Sequence, residues 1–536
     1  MEMAGSKFLF FSPYASWKYH TALEATWAHG LRQRGAEAQF VLCDELLPAC
    51  DIHRLTVNPR GLLSCRRCKQ RAAQQLESYE APHAWLGSWL PPRARREVAS
   101  WVKQLDSGDL LQAHWKGRPV GRWASTSVYY QLRTSIIDPL DPSQAKLLRQ
   151  HLQGIVLVFE ALTVLYREVQ PDTVVMLNGR FFTHWAAFEL ARERGIRVVT
   201  HERGLNKNTV RLAENHRTHE LAPMHALWEA WKDVPLDASG LASVQRVLRN
   251  RALGIDYSVR AFSPPLEPRG ATVPLRQQLG LDSRPLVAVF TSSDDETAAF
   301  SDRCQGAFPN ATDFLPATLE LARGMPQVQF VVRIHPNVQS KLGTNQAQLK
   351  EALAARRAAP ENLRVVLPDE PLSSYALVEE AEVGVVYATT LGLEMACNGQ
   401  QVLCMAQSTY RHVGCTRNLE RPEEYREELL RALHAGKDTE VARRALRWSR
   451  VYFQHFAMPF PLVEELPGFE ARPTYANLET LRPGVDPGLD EIVGRLLGER
   501  PMIPQPTPAR RCSSPLEEDR FLANWVQVSL HAPGPA

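Results

Sequence analysis

Val328-Gln329-Phe330-Val331-Val332 runs straight into Arg333-Ile334-His335-Pro336-Asn337. About fifty residues on, Val383-Gly384-Val385-Val386-Tyr387 runs into Ala388-Thr389-Thr390-Leu391-Gly392-Leu393-Glu394. Each apolar run is short, rich in β-branched residues and not alternating, the wording of a strand buried on both faces of a parallel sheet. Each ends in a polar tip. In an open α/β sheet, ligands bind in the crevice beyond the carboxyl ends of the strands. Arg333 and His335 offer positive charge there, Thr389 and Thr390 offer hydroxyls, and Glu394 offers a carboxylate. That set suits a phosphate-linked ribonucleotide.

The same alternation extends outward in both directions. Upstream, Phe8–Ser12 reads as a strand, 20–34 as a helix stopped by Gly35, and Gln39–Cys43 as a second strand. A stretch rich in Arg, Trp and Pro, read as irregular, runs to about residue 140. Helical periodicity follows over 144–169. Then come strand Thr173–Leu177 with tip Asn178-Gly179-Arg180, helix 182–194, and strand Ile196–Thr200 with tip His201-Glu202-Arg203-Gly204. Ser263-Pro264-Pro265 marks a hinge. Beyond it lie strand Leu286–Phe290 with tip Thr291-Ser292-Ser293, the two opening segments, strand Leu363–Leu367 and strand Gln401–Met405, with helices between. This pattern predicts an α/β fold of two Rossmann-like, doubly wound domains facing an interdomain cleft. The expected domains are 1–265, with a cysteine-rich insertion, and 275–480, followed by a tail over 481–536. In that tail Glu518–Leu530 carries one apolar face and is expected to dock on the body.

Bulk properties narrow the classes of partner. A chain of 536 residues is too long for one core. With 44% hydrophobic and 23% charged residues and a net charge of +3, it offers no global basic field for nucleic acid. Lys7–Phe11 is too short for a signal peptide, and Ile155–Tyr166, broken by Glu160, is too short for a membrane span. The expected location is cytoplasmic, with at most peripheral contact at the inner face of a membrane.

Chemistry concentrates at the strand tips. The fixed φ of Pro336 forces an extended exit that presents His335, whose imidazole donates to a phosphate oxygen, while a guanidinium such as Arg333 forks onto one. Thr389 or Thr390 caps a short helix whose Glu394 either completes a capping box or accepts from ribose hydroxyls. Glu202 is the candidate general base on an acceptor hydroxyl, the alternative being an ion pair with Arg203 or Arg180. Asn178, Arg180 and His184 are candidates for holding the acceptor, and His184 and His201 for the base. Asp294-Asp295-Glu296 reads as the acidic first turn of a helix rather than a metal site. Trp85, Trp89, Trp101, Trp115 and Trp123 either stack on a saccharide or fill a core. Cys43, Cys50, Cys65 and Cys68 form C-x6-C-x14-C-x2-C, a pattern open to structural zinc, an iron–sulfur cluster or free thiols.

The stretch 285–415 resembles the nucleotide-binding domain of bacterial capsule polysaccharide biosynthesis glycosyltransferases of the GT-B fold, a His-Pro group related to sialyl-, polysialyl- and Kdo-transferases. The matching pieces are Phe290-Thr291-Ser292-Ser293, Arg333-Ile334-His335-Pro336-Asn337, Thr390-Leu391-Gly392-Leu393-Glu394 and Tyr410-Arg411-His412-Val413-Gly414. The resemblance covers about a quarter of the chain. It implies that His335, Thr389 and Thr390 contact the donor phosphate, often that of a CMP-sugar, with Ser292 and Ser293 in the same pocket. It implies transfer from a nucleotide sugar to a hydroxyl of a glycan or glycolipid, with no metal or other cofactor needed for catalysis. The acidic base motif of those relatives is matched only loosely by Glu202-Arg203-Gly204. The Glu-x7-Glu element of many retaining relatives is missing, since Val386 stands eight positions before Glu394, and inversion is expected. Rival expectations are a CDP-alcohol polyol-phosphate transferase of the teichoic-acid type, a sugar-nucleotide epimerase, and a non-catalytic glycan-binding scaffold.

Overall fold

A computed structural model describes residues 5–52, 65–255, 257, 263–267, 273–298, 306–310, 313–340, 343–466, 470–507 and 515–525. Its strands, in chain order, begin with β1 Lys7–Phe11, β2 Glu37–Leu42, β3 His83–Trp85, β4 Thr173–Leu177, β5 Arg197–Arg203 and β6 Thr209–Glu214. They continue with β7 Leu286–Phe290, β8 Gln329–Arg333, β9 Gln339–Ser340, β10 Gly343–Thr344, β11 Leu363–Val366 and β12 Val383–Val386. Last come β13 Gln401–Cys404, β14 Arg417–Asn418, β15 Met458–Pro459, β16 Val463–Leu466 and β17 Glu470–Pro473.

Two parallel sheets carry the fold, as the alternation predicts. The second has the order β11-β8-β7-β12-β13-β14. Numbered within that unit the order is 3-2-1-4-5-6, the doubly wound arrangement whose switch point falls between its first and fourth strands. Here those are β7 and β12, paired Val383↔Val287 through Val386↔Phe290. The first sheet runs β15-β6-β5-β4-β1-β2-β3, with β6 antiparallel to β5 and β15 antiparallel to β6. Its parallel part winds the same way, with the switch point between β1 and β4.

Alternate residues of each strand feed cores on opposite faces, as the two-residue period requires. Leu9 and Phe11 pack with the helix Pro142–Val169, whereas Phe8 and Phe10 pack with the helices Lys18–Arg32 and Pro487–Leu497. In the second sheet Ala288 and Phe290 face one core, and Val287 and Val289 face the other. Full burial of each of these Leu, Phe and Val side chains stabilises by roughly 1.5–3 kcal/mol. Asp141 accepts from the amides of Ser143 and Gln144, which with Pro142 at the first turn fixes where the long helix starts.

The chain crosses between units twice, and not where the hinge reading put the boundaries. Helices Ala222–Trp231 and Ala238–Ala252 bury Met224, Leu227, Trp228 and Leu248 in the second unit's core, although they precede the expected hinge. The helix Thr439–Arg450 runs into a π-helical turn, Val451–Phe456, and β15 then joins the first sheet. The described residues between 458 and 480, expected in the second unit, therefore pack on the first. A Cβ at Gly30 would lie 2.9 Å from Val493 Cγ2, so glycine lets the returning helix approach. The helix Leu516–Trp525 lies on the second unit, where Arg447 Nε donates to Glu518 at 2.9 Å and Trp525 Nε1 to the Cys397 carbonyl at 2.7 Å. The amphipathic tail thus docks over its described part, and 526–530 lies outside the described residues.

Two local readings are corrected. The stretch taken as irregular holds helices Cys65–Glu77, Ala94–Gln104 and Val120–Leu132. Its tryptophans serve packing: Trp123 is buried in the first core, and Trp85, Trp89, Trp101 and Trp115 are partly buried against the first unit's cores. Strand β5 also extends to Arg203 and turns back through β6, so Glu202 lies within a strand, opposite Arg211, rather than at a tip. No helix among the described residues is long and apolar enough to cross a membrane.

Candidate functional site

At the carboxyl edge of the second sheet, the tips after β7 and β8 are tied together. The amide of Thr291 donates to the Arg333 carbonyl at 3.3 Å, and the Thr291 hydroxyl accepts from the amide of His335 at 2.8 Å. His335 Nδ1 accepts from the amide of Asn337 at 3.1 Å, which places the neutral ring's proton on Nε2, a donor. The carbonyl of Ser292 accepts from Gln348 Nε2 at 2.6 Å, fixing the tip after β7. Across the switch point, the carbonyl of Thr389 accepts from Tyr410 Oη at 2.6 Å. A Cβ at Gly392 would stand 2.4 Å from that phenol oxygen, so only glycine fits there. Thr390 Oγ1 accepts from Arg251 Nη2 at 3.0 Å, leaving its own proton for another acceptor. His335, Thr389 and Thr390 are all half-buried.

Three residues expected at the donor are engaged elsewhere. Arg333 is buried, and its guanidinium donates to the carbonyls of Leu367 and Glu370. Burial pushes its pKa down to about 10 against the pull of Glu370 and Asp369. It braces the loop after β11. Glu394 is 1% exposed, and its oxygens accept from Arg251 Nε at 3.0 Å and Tyr375 Oη at 2.8 Å, so it anchors the Thr389–Thr390 turn rather than facing a ribose. The Ser293 hydroxyl donates to Asp295 at 2.5 Å. Ser292, His335, Thr389 and Thr390 remain as the expected donor-side groups at this edge.

The first sheet's edge carries an ionisable cluster around Glu202. One carboxylate oxygen accepts from Asn178 Nδ2 at 2.7 Å and the other from the Arg203 amide at 2.9 Å. His20 Nε2 and His219 Nε2 each stand 3.8 Å from it, and Arg203 Nε stands 3.9 Å away. Burial pushes Glu202 up, but His219, His20 and Arg203 outweigh it and hold the carboxyl well below the usual range. His20 is 3% exposed and was missed in the sequence, where nothing marks a histidine in a helix's first turn. Burial holds it well below the ordinary imidazole value against the pull of Glu202. Among the described residues, neither of its ring nitrogens has a hydrogen-bond partner. A neutral imidazole beside a fixed carboxylate can accept a proton, since Glu202 favours the imidazolium that forms.

The other first-unit candidates fall into different places. Asn178 holds Glu202 and accepts from the Arg180 amide at 2.9 Å. Arg180 lies over the Tyr130 ring, 5.1 Å from its centroid. His184 is 1% exposed among Phe11, Tyr14 and Phe181, and burial lowers its pKa to about 3, so it is a core residue rather than an acceptor contact. His201 Nε2 pairs with Glu24 Oε1 at 2.8 Å.

One residue outside every expected motif joins the two units. Arg133, at the end of the helix Val120–Leu132, donates through Nη2 to the Asn337 carbonyl of the His-Pro loop. Its Nε lies 3.4 Å from Asp295 Oδ2, with the two side chains 5% and 0% exposed. The tips after β7 and β8 are thereby held against the first unit.

The four cysteines of the insertion, free of disulfides, all line one cavity with Pro13, Tyr14 and Ser16. Among the described residues no group of three or more His, Cys, Asp or Glu side chains is arranged to hold a metal ion.

No protein-family model matches the chain, and no curated protein matches its sequence. Among solved structures, the β-Kdo 2,4-transferase of Thermosulfurimonas dismutans KpsC is 15% identical, covers 58% of this chain and 87% of its own, and has a TM-score of 0.35. The β-Kdo 2,7-transferase of the same KpsC gives 11%, 63%, 89% and 0.34. A Neisseria meningitidis UDP-GlcNAc 2-epimerase bound to UDP-GlcNAc gives 12%, 84%, 96% and 0.25. At these identities and scores, the activities of those proteins do not pass to this chain.

Proposed function

We propose that the chain is a glycosyltransferase moving a sugar from a nucleotide donor to an acceptor hydroxyl, by a single inverting displacement. One observation carries the reading. Thr291 and His335, hydrogen-bonded at the tips after β7 and β8, and the Thr389–Thr390 turn after the neighbouring β12 lie along one carboxyl edge of a 3-2-1-4-5-6 sheet, flanking its switch point, on an edge that Arg133 ties to the unit bearing His20 and Glu202. In that reading Nε2–H of His335 and the threonine hydroxyls donate to the departing phosphate, where negative charge grows as the glycosidic bond breaks. Preorganised donors at developing charge supply the largest catalytic term in such reactions. The acceptor hydroxyl gives its proton to His20, backed by Glu202, as its oxygen attacks the anomeric carbon. Glu202, held below the usual carboxylate range by His219, His20 and Arg203, stays charged and stabilises the imidazolium that forms. The cytoplasm, a glycan or glycolipid acceptor and peripheral contact with a membrane face belong to the same proposal.

The test is a donor screen with CMP-, UDP- and GDP-linked sugars, with and without a mixed glycan and lipid-linked acceptor pool. Nucleotide release that requires acceptor, with a mass gain of one sugar on the acceptor, supports the proposal. Isomerised donor without acceptor, or transfer of a polyol phosphate from a CDP-alcohol, defeats it.

A further inference from the structure

The cysteine cavity has no part in the sugar chemistry proposed above, and its residues have a chemistry of their own. Cys43 follows β2 directly, Cys50 precedes the fully buried Asp51, and Cys65 and Cys68 occupy the first turn of the helix Cys65–Glu77. Although 25 positions of sequence separate the first from the last, all four line one space of about 30 Å³. A space of 10–15 Å³ already holds a water molecule. The remaining walls are Pro13, Tyr14, Ser16, Glu45, Leu47 and Ile52, so among the described residues no lysine or arginine lines the space with the sulfurs. Four free thiols, none of them in a disulfide, surround it.

We propose that these four sulfurs bind one zinc ion. Tetrahedral coordination by four cysteines, with Zn–S near 2.3 Å, is a standard closed structural site, and the terminal C-x2-C has its usual spacing. Among the described residues no three such side chains stand at ligation geometry, so binding requires the four sulfurs to close on the ion. The binding step is balanced simply: four S–H bonds break, four Zn–S bonds form, four protons leave to water, and the site carries a net charge of −2. Nothing is oxidised or reduced. Ser16 Oγ already donates to Cys68 Sγ at 2.7 Å, the kind of outer hydrogen bond that steadies a thiolate ligand.

The position of the site gives it a purpose. Tyr14 lines the cavity, donates to Asp51 at 2.7 Å and accepts from the Thr183 hydroxyl at 3.0 Å. Asp51 in turn accepts from Ser127 Oγ at 2.9 Å and Gln131 Nε2 at 3.0 Å, on the helix that ends in Arg133. Zinc at the four sulfurs therefore pins the loop after β1, which leads to Trp17 and His20, against the helix that reaches the second unit.

The experiment is elemental analysis of the full chain, purified without chelator or metal-affinity resin, together with thiol titration under native conditions. The expected result is about one zinc per chain, and four thiols that react with a chromogenic disulfide only after a zinc chelator is added. Cys65→Ser and Cys68→Ser, at a half-buried helix start, should each lower zinc at least tenfold with the fold retained by circular dichroism. Cys512→Ser should leave zinc unchanged. Iron with visible absorption in place of zinc, no metal at all, or full zinc retention in both serine variants overturns the proposal.

Discussion

Replacing Arg133 tests the junction between the units through a pair whose energetics can be worked out. Its guanidinium and the Asp295 carboxylate are 3.4 Å apart with side chains 5% and 0% exposed, and Arg133 also donates to the Asn337 carbonyl. Arg133→Met keeps the stem but leaves Asp295 buried with only the Ser293 hydroxyl as donor among the described side-chain bonds. Breaking one partner of a buried ion pair costs about 3–5 kcal/mol, whereas replacing both costs little. At roughly 2–4 °C per kcal/mol for a unit of this size, Arg133→Met should lower the relevant melting transition by about 6–20 °C. Asp295→Asn alone leaves the guanidinium buried and should behave similarly. In the double variant the new amide oxygen at position 295 can still accept from Ser293, so stability should recover to within about 1–2 kcal/mol of the parent. The assay is scanning calorimetry of all four proteins, resolving the two units' transitions. If both single variants melt within about 2 °C of the parent, or the double loss equals the sum of the singles, the buried bridge is not there.

Other expectations follow from the same geometry. Removing the imidazole in His335→Ala should cut turnover by roughly 10²-fold or more, the usual cost of one preorganised donor, and unchanged turnover would remove it from the mechanism. Glu394→Gln strands the buried Arg251 charge and should cost about 3–5 kcal/mol of stability; a large rise in the nucleotide Kd with normal melting would instead restore a ribose role. Acid should destabilise the fold before its carboxylates titrate. Unfolded histidines take up protons near pH 6.5, whereas His184 stays neutral down to about 3, so its contribution is complete above 6.5 and falls as pH drops towards 3. That loss is about 2 kcal/mol at pH 5, and His20 is lowered in the same direction. Glu202, lowered instead from a carboxylate value, loses its contribution only below about pH 4.5. His184→Leu should flatten the melting profile between pH 7.5 and 5, and an unchanged acid slope refutes the assignment.

The fold was legible because local signals agreed with one another. Nine apolar runs map onto observed strands, eight of them to within a residue or two at each end, while Ile196–Thr200 stops three residues short of the end of β5. What escaped was either antiparallel or borrowed. Thr209–Glu214 is a strand only because β5 runs on past Thr200 to pair with it, and the hydrophobic pattern of β5 had ended by then. The first unit also borrows β15 and the helix Pro487–Leu497 from the far end of the chain, a long-range contact that no local window contains. At the site, residue type located the right tips and misassigned several side chains. Arg333 and Glu394 are chemically fit for a ligand, yet each is consumed by partners set by tertiary structure, the 367–370 carbonyls and Arg251. His20 and Arg133 sit in ordinary helical sequence, and only burial without a partner, or reach across the junction, marks them out.

The central claim is that His335 and the Thr389–Thr390 turn grip one anion from two sides. Calorimetric titration of the tightest-binding nucleotide into the parent, His335→Ala, Thr389→Val and the His335→Ala/Thr389→Val double variant measures this directly. Groups on a shared ligand should couple by about 0.5–3 kcal/mol, so the double loss should fall short of the sum of the single losses by that margin. Losses that add strictly, or a nucleotide that binds all four proteins alike, would contradict the account.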